Sequence, residues 1–175
     1  MLSAMVNSGL KEIFKRPRPY TVDGVDAPFG YETTGYSFPS GHAQSSGVLG
    51  YTAYDLYKKH DKNWLKWLGL FIIIVVPISR VYLAQHYLSD VLVGVILSVG
   101  ISILLFRLID KMNDKEEIYT LYLLPILVIL MIFVKNESLY VAAGGFVGFA
   151  LGYFVEKRYV QYIVKNKALI QFLKI

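Results

Sequence analysis

Cysteine is absent from the 175 residues, which removes disulfides, thiolate nucleophiles and zinc–thiolate sites together. Charge is scarce too. Asp, Glu, Lys and Arg make up 18% of the chain, against about 25% in an ordinary soluble domain. No repeat, low-complexity tract or Gly/Ser linker divides the sequence, so it reads as one folding unit. Its start is not expected to be a secretory signal, being neither strongly basic nor followed by a long apolar core.

Apolar side chains are what the chain has in abundance. They make up 55% of it and gather into charge-free stretches at 67–79, 91–106, 118–134 and 138–155. A helix needs about 20 residues to cross a bilayer, and flanking residues bring each stretch near that length. A fifth segment, AQSSGVLGYTAYDLY at 43–57, is polar enough to require shielding inside a bundle. The expected fold is an all-α integral membrane bundle of about five transmembrane helices plus a partial N-terminal helix. Residues 1–110 would form its core, 111–156 an additional transmembrane hairpin, and 157–175 a basic amphipathic tail on the inner surface. Gly144, Gly148 and Gly152 follow the spacing of close helix contacts, either within this bundle or with a second copy as a homo-oligomer.

The net charge of +5 is unevenly placed. If each apolar segment crosses in turn, twelve of the eighteen Lys and Arg fall on one side, in 58–66, 107–115 and 157–174. The positive-inside rule makes that side cytoplasmic. This accounts for the basic tail without any nucleic acid.

Six cations remain on the opposite side, together with the polar clusters of interest. In KEIFKRPRP (11–19), Pro17 and Pro19 stop a helix arriving from Leu10, and Lys11 and Arg18 can face one pocket. A basic collar at a helix end accounts for the same residues. In FPSGHAQSSG (38–47), Pro39 and Ser40 mark a helix start and Gly41 permits close backbone approach, a setting that favours an anion. His42 alone would serve equally as an interfacial histidine. In SRVYLAQHYLSD (79–90), His86 and Asp90 are four apart and would meet on one helix face, with Arg80 upstream. Those three residues also fit a structural ion network.

Taken together, K-x6-R-P (Lys11–Pro19), P-S-G-H (Pro39–His42) and S-R-x5-H-x3-D (Ser79–Asp90) resemble the three-part signature of the type 2 phosphatidate phosphatase superfamily. That superfamily includes lipid phosphatases, polyprenyl diphosphate phosphatases and vanadium haloperoxidases. The resemblance covers about residues 8–108. Relatives usually carry two or more membrane helices before the first motif, whereas barely ten residues precede Lys11. The resemblance therefore implies a truncated front or one supplied from elsewhere. It implies His86 as nucleophile, Asp90 as acceptor of its other ring N–H, and His42 as proton donor to the leaving oxygen. Lys11, Arg18 and Arg80, with Ser40 and Gly41, would bind phosphate. No metal or other cofactor is implied, since fixed cations take the metal's place.

The implied activity is hydrolysis of a lipid phosphate, such as phosphatidic acid, or of undecaprenyl diphosphate. It would occur at the extracytoplasmic face of the cell (inner) membrane through a phosphohistidine. The lipid bilayer and the lipid phosphate are the expected partners. Aromatics in the loop 20–38 (Tyr20, Phe29, Tyr31, Tyr36, Phe38) suit the interface and a cap over the site. A haloperoxidase holding vanadate, or a non-catalytic lipid-phosphate-binding scaffold, are the alternatives the same residues leave open.

Overall fold

The computed structural model describes residues 2–161 apart from 23, 31, 113–114 and 134–136. Tyr31 and most of the basic tail lie outside the described residues. Six α-helices account for most of these residues: α1 (Leu2–Phe14), α2 (Gly41–His60), α3 (Asn63–Tyr82), α4 (Leu88–Asp110), α5 (Glu116–Phe133) and α6 (Glu137–Val155). A π-type turn, Glu156–Val160, continues α6. Among the described residues, three stretches are long and apolar enough to cross a bilayer, 63–82, 88–110 and 139–160.

Both ends of α2 and the turn after α3 have local causes. α2 starts at Ser40, whose hydroxyl accepts the Ala43 N–H and satisfies one of the free donors of the first turn. It stops at Asp61, whose left-handed φ of 52° turns the chain, while its N–H bonds the Tyr57 carbonyl. Two residues later α3 begins, so α2 and α3 form a tight antiparallel pair. α3 runs through Pro77 and ends at Tyr82. Ala84, with φ 51°, then reverses the chain into α4.

α2, α3 and α4 form the tightest part of the bundle. The polar α2 turns Ala43, Gln44, Ser46, Gly47, Gly50 and Ala53 inward, as its composition requires. Two close approaches set the geometry. A Cβ on Gly69 would sit 2.7 Å from the Gly50 carbonyl oxygen, and one on Gly94 would sit 2.9 Å from that of Ser40. Only glycine lets α4 come so near the start of α2.

The C-terminal helices join the bundle through α1, along a face that buries small residues. α6 lies against α1 and α5, with Leu139, Ala143 and Ala150 buried. Gly144, Gly148 and Gly152 face away from this contact and have no neighbour within 4 Å of an added Cβ among the described residues. At the 156–160 end, Lys157 bridges Glu116 at 2.8 Å and Glu117 at 3.3 Å, tying α6 to α5. Large apolar side chains such as Trp67, Phe71, Ile78 and Ile96 point outward. Such a surface suits a hydrocarbon solvent rather than water.

Candidate active site

One end of the bundle collects the end of α1, the start of α2, the end of α3 and the start of α4, with the loop 15–40 between the first two. There a cavity of about 680 Å³ is lined by Lys11, Arg18, Gly41, His42, Arg80 and His86. Side chains from three separated sequence clusters thus share one space. Lys11 and Arg18 do face one pocket.

His86 is buried, and its ring is fixed by one short contact. Nδ1 donates to the Ser37 carbonyl at 2.7 Å. A carbonyl only accepts, so in the neutral ring the proton sits on Nδ1 and Nε2 keeps its lone pair. Nε2 lies 3.5 Å from Nη1 of Arg18.

Arg18 is held as firmly. Nε donates to the Gly35 carbonyl at 2.9 Å, Nη1 to that of Gln85 at 3.1 Å, and Nη2 to that of Thr34 at 3.0 Å. The guanidinium has five N–H groups. These bonds lock the fork: the second N–H of Nη1 is directed at His86 Nε2, and Nη2 keeps one N–H for an anion. Thr33, which also lines the cavity, donates its hydroxyl to Gln85 Oε1 at 2.6 Å. The loop is thus tied to the cavity wall through two backbone carbonyls and a threonine. Of its aromatics, Tyr20 bonds Thr33 within the loop and Phe38 packs edge-on against Phe14.

His42 stands at the mouth of α2. Partial burial comes first, followed by the charges of Arg80, His86, Lys11 and Arg18, in pushing its pKa below the ordinary imidazole value. An anion that balances those cations would offset their share of the shift, though not the share due to burial, and so favour a proton on His42.

Asp90 meets His86, as the four-residue spacing predicts, but is not the first acceptor of its ring N–H. Its carboxylate is 3.7 Å from His86 Nδ1, beyond hydrogen-bond reach, and the Ser37 carbonyl is the nearer acceptor. The two do not share a helix, because His86 precedes α4, which starts at Leu88. Asp90 is instead the third residue of α4, and Oδ2 reaches back to the Tyr87 N–H at 2.9 Å. The same oxygen accepts the Ser37 hydroxyl at 2.8 Å, and Oδ1 accepts Arg16 at 2.7 Å. Asp90 thus acts on His86 through Ser37 and as a nearby negative charge.

Ser40 also departs from expectation. It is fully buried and outside the cavity wall, its hydroxyl caps Ala43, and its N–H donates to the Asp90 carbonyl at 3.1 Å. The free N–H of a helix start claims the serine oxygen. Gly41 is left as the P-S-G-H backbone that faces the cavity.

Two supporting residues escaped the sequence reading. Arg16 donates to Asp90 and to the Ser89 hydroxyl, each at 2.7 Å, and lies 3.9 Å above the Tyr87 ring. Its carbonyl accepts the Ser37 N–H at 2.8 Å. The doubled R-P of RPRP was the available signal for Arg16. Ser37 holds His86 through its carbonyl, which every residue has, and Asp90 through its hydroxyl, and it lies just outside the P-S-G-H motif that drew notice.

Comparison with known proteins identifies the family. The sequence pattern of the PAP2 superfamily matches residues 1–114, well over half of the chain. The chain belongs to the PAP2 superfamily. Phosphatidylglycerophosphatase B of Bacillus subtilis (strain 168) is 37% identical over 118 residues, covering 63% of this chain and 53% of that protein. The crystal structure of a transmembrane PAP2 type phosphatidylglycerolphosphate phosphatase from Bacillus subtilis is similar as well. It gives a TM-score of 0.53 at 29% identity, covering 65% of this chain and 57% of that one. The chain thus spans about half the length of the curated relative it matches. Within the superfamily, this chain is an all-helical membrane protein whose matched region carries all three motifs and the cavity they surround.

Proposed function

We propose that this PAP2 protein hydrolyses a lipid phosphate, using His86 as nucleophile through a phosphohistidine intermediate. The observation that carries this reading is the fixed tautomer of His86. Its N–H is committed to the Ser37 carbonyl, and its lone pair is presented to a cavity walled by Lys11, Arg18 and Arg80. Such preorganised cations stabilise charge that builds on the equatorial oxygens of a phosphoryl group.

In the first step Nε2 attacks phosphorus in line. The P–N bond forms as the P–O bond to the alcohol breaks, and His42 gives its proton to the departing oxygen. In the second step His42 takes a proton from water. The resulting hydroxide displaces Nε2, releasing inorganic phosphate and restoring His86. Charge neutralisation rests on the three side-chain cations, so the reaction is proposed to need no metal. The Ser37 carbonyl holds the imidazole throughout, and the Asp90 charge favours the cationic ring of the phosphohistidine.

Placement at the extracytoplasmic face of the cell membrane rests on the lysine and arginine distribution, which puts the cavity opposite the basic loops. The cavity then opens at the level where lipid phosphates reside.

Phosphate release tests the reading. Purified protein in mixed micelles should release inorganic phosphate from at least one of phosphatidate, phosphatidylglycerophosphate and a polyprenyl diphosphate. Turnover should persist in excess EDTA and stop on addition of vanadate. Activity that vanishes on chelation and returns with magnesium would refute the metal-free scheme. Tight lipid-phosphate binding without any release would favour a non-catalytic scaffold.

A further inference from the structure

The cavity continues past the phosphate-binding cations, and there it holds a polar group that the hydrolysis scheme does not use. Gln44 is buried at 2% exposure and lines the cavity. Neither its amide nitrogen nor its amide oxygen has a hydrogen-bond partner among the described residues. Leaving one buried polar group unpaired costs about 1–3 kcal/mol, and most such groups in folded proteins find partners. An amide left open on both its donor and acceptor sides marks a place where a partner is supplied from outside.

Position narrows what that partner is. Gln44 lies three residues inward from Gly41, about 4.5 Å along α2 at 1.5 Å per residue. It therefore meets the part of a substrate that follows the reacting phosphate. Ser3, from α1, lines the same stretch, and its hydroxyl is likewise buried without a partner among the described residues. One turn further, Val48 and Leu49 make the wall apolar. The order along the cavity is thus cationic, then neutral and polar, then apolar. Phosphatidate has that order, with its phosphate, its neutral glyceryl oxygens and its acyl chains, and phosphatidylglycerophosphate begins with it, its terminal phosphate being followed by a free glyceryl hydroxyl before the phosphodiester. A polyprenyl diphosphate would instead place a second anionic phosphate beside neutral side chains.

We infer that Gln44 is a specificity-determining residue that hydrogen-bonds a neutral oxygen of a glyceryl leaving group, and so selects glycerol-based phosphate esters over alkyl phosphates and polyprenyl diphosphates. This rests on the phosphatase reading of the cavity. The oxygen is a hydroxyl, for which the amide oxygen accepts, or an ester carbonyl, to which the amide nitrogen donates.

Gln44→Met keeps the length of the side chain and removes both polar atoms. Its kcat/KM would be compared with wild type on phosphatidylglycerophosphate (free glyceryl hydroxyl), phosphatidate (ester carbonyls only near the phosphate), dodecyl phosphate (no further oxygen) and a polyprenyl diphosphate. The preference for the glyceryl substrates over dodecyl phosphate should fall about 10-fold, the effect of one buried hydrogen bond. A larger fall on phosphatidylglycerophosphate assigns the hydroxyl, and a larger fall on phosphatidate the carbonyl. The Tm of the unliganded variant should rise, since an unpaired buried amide has been removed. An unchanged substrate ratio overturns the inference, as does a lowered Tm with equal losses on all four substrates, the signature of a packing role. Wild-type protein that hydrolyses none of the four would overturn the phosphatase reading itself, a result distinguishable from either of these.

Discussion

Replacing Asp90 by Asn separates two ways of building the nucleophile. If the carboxylate held the His86 N–H directly, its loss would let the ring adopt the wrong tautomer. The comparable change in a serine protease triad lowers kcat about 10⁴-fold. Here the Ser37 carbonyl holds Nδ1 at 2.7 Å, so the tautomer should survive. What is lost is a negative charge 3.7 Å from Nδ1. At an effective dielectric of 20, one unit charge at that distance stabilises the cationic phosphohistidine by about 4 kcal/mol. Arg16, 2.7 Å from the other carboxylate oxygen, offsets a good part of it. About 1–3 kcal/mol remains by the same Coulomb estimate, so the loss should be about 10- to 100-fold in kcat. The variant leaves Arg16 facing an amide, so the double variant Asp90→Asn with Arg16→Met is needed to keep the local charge balanced. Stopped-flow phosphate release and a melting curve on each protein would give the numbers. A fall near 10⁴-fold in a protein that still melts cooperatively would refute the Ser37 assignment and return the N–H to Asp90.

The remaining expectations follow from the same geometry. Gly94→Ala should reduce both stability and turnover, by about 1–3 kcal/mol in stability for an overpacked contact, because its Cβ would press on the Ser40 carbonyl oxygen at 2.9 Å. A variant with wild-type Tm would show that α4 has room to move. In rapid-quench labelling with p-nitrophenyl phosphate, His42→Ala should accumulate acid-labile phosphoenzyme and His86→Ala should form none, since this leaving group departs without a proton. The opposite pattern would exchange the two roles. For orientation, a cysteine at Val25, on the exposed loop beside the cavity, should react with an impermeant thiol reagent on intact cells, and one at Lys62, in the α2–α3 turn, should not. Reversed labelling would place the cavity on the cytoplasmic side.

Much of this protein was readable from its residues because two of its signals are local. Charge-free runs of bilayer length announce helices whatever their neighbours. Ser40 before a glycine marks where α2 begins. The three motifs likewise name residue types with unambiguous chemistry, and the structure brings Lys11, Arg18, His42, Arg80 and His86 to one cavity. What the residues could not supply is the partner each one takes. His86 finds its acceptor 49 positions away, in a backbone carbonyl that any residue would carry. Arg18 is aimed by three more carbonyls, and Ser40 spends its hydroxyl on a helix end that exists only once α2 has formed. Asp90 looked like a helical neighbour of His86 until the chain placed the start of α4 between them. Gln44 reads as one more polar residue of a helix start, and only its burial without a partner in the folded cavity distinguishes it. Side-chain identity fixes which bonds a group is able to make. The fold fixes the distances and angles at which hydrogen bonds form, and those depend on backbone positions contributed by the whole bundle.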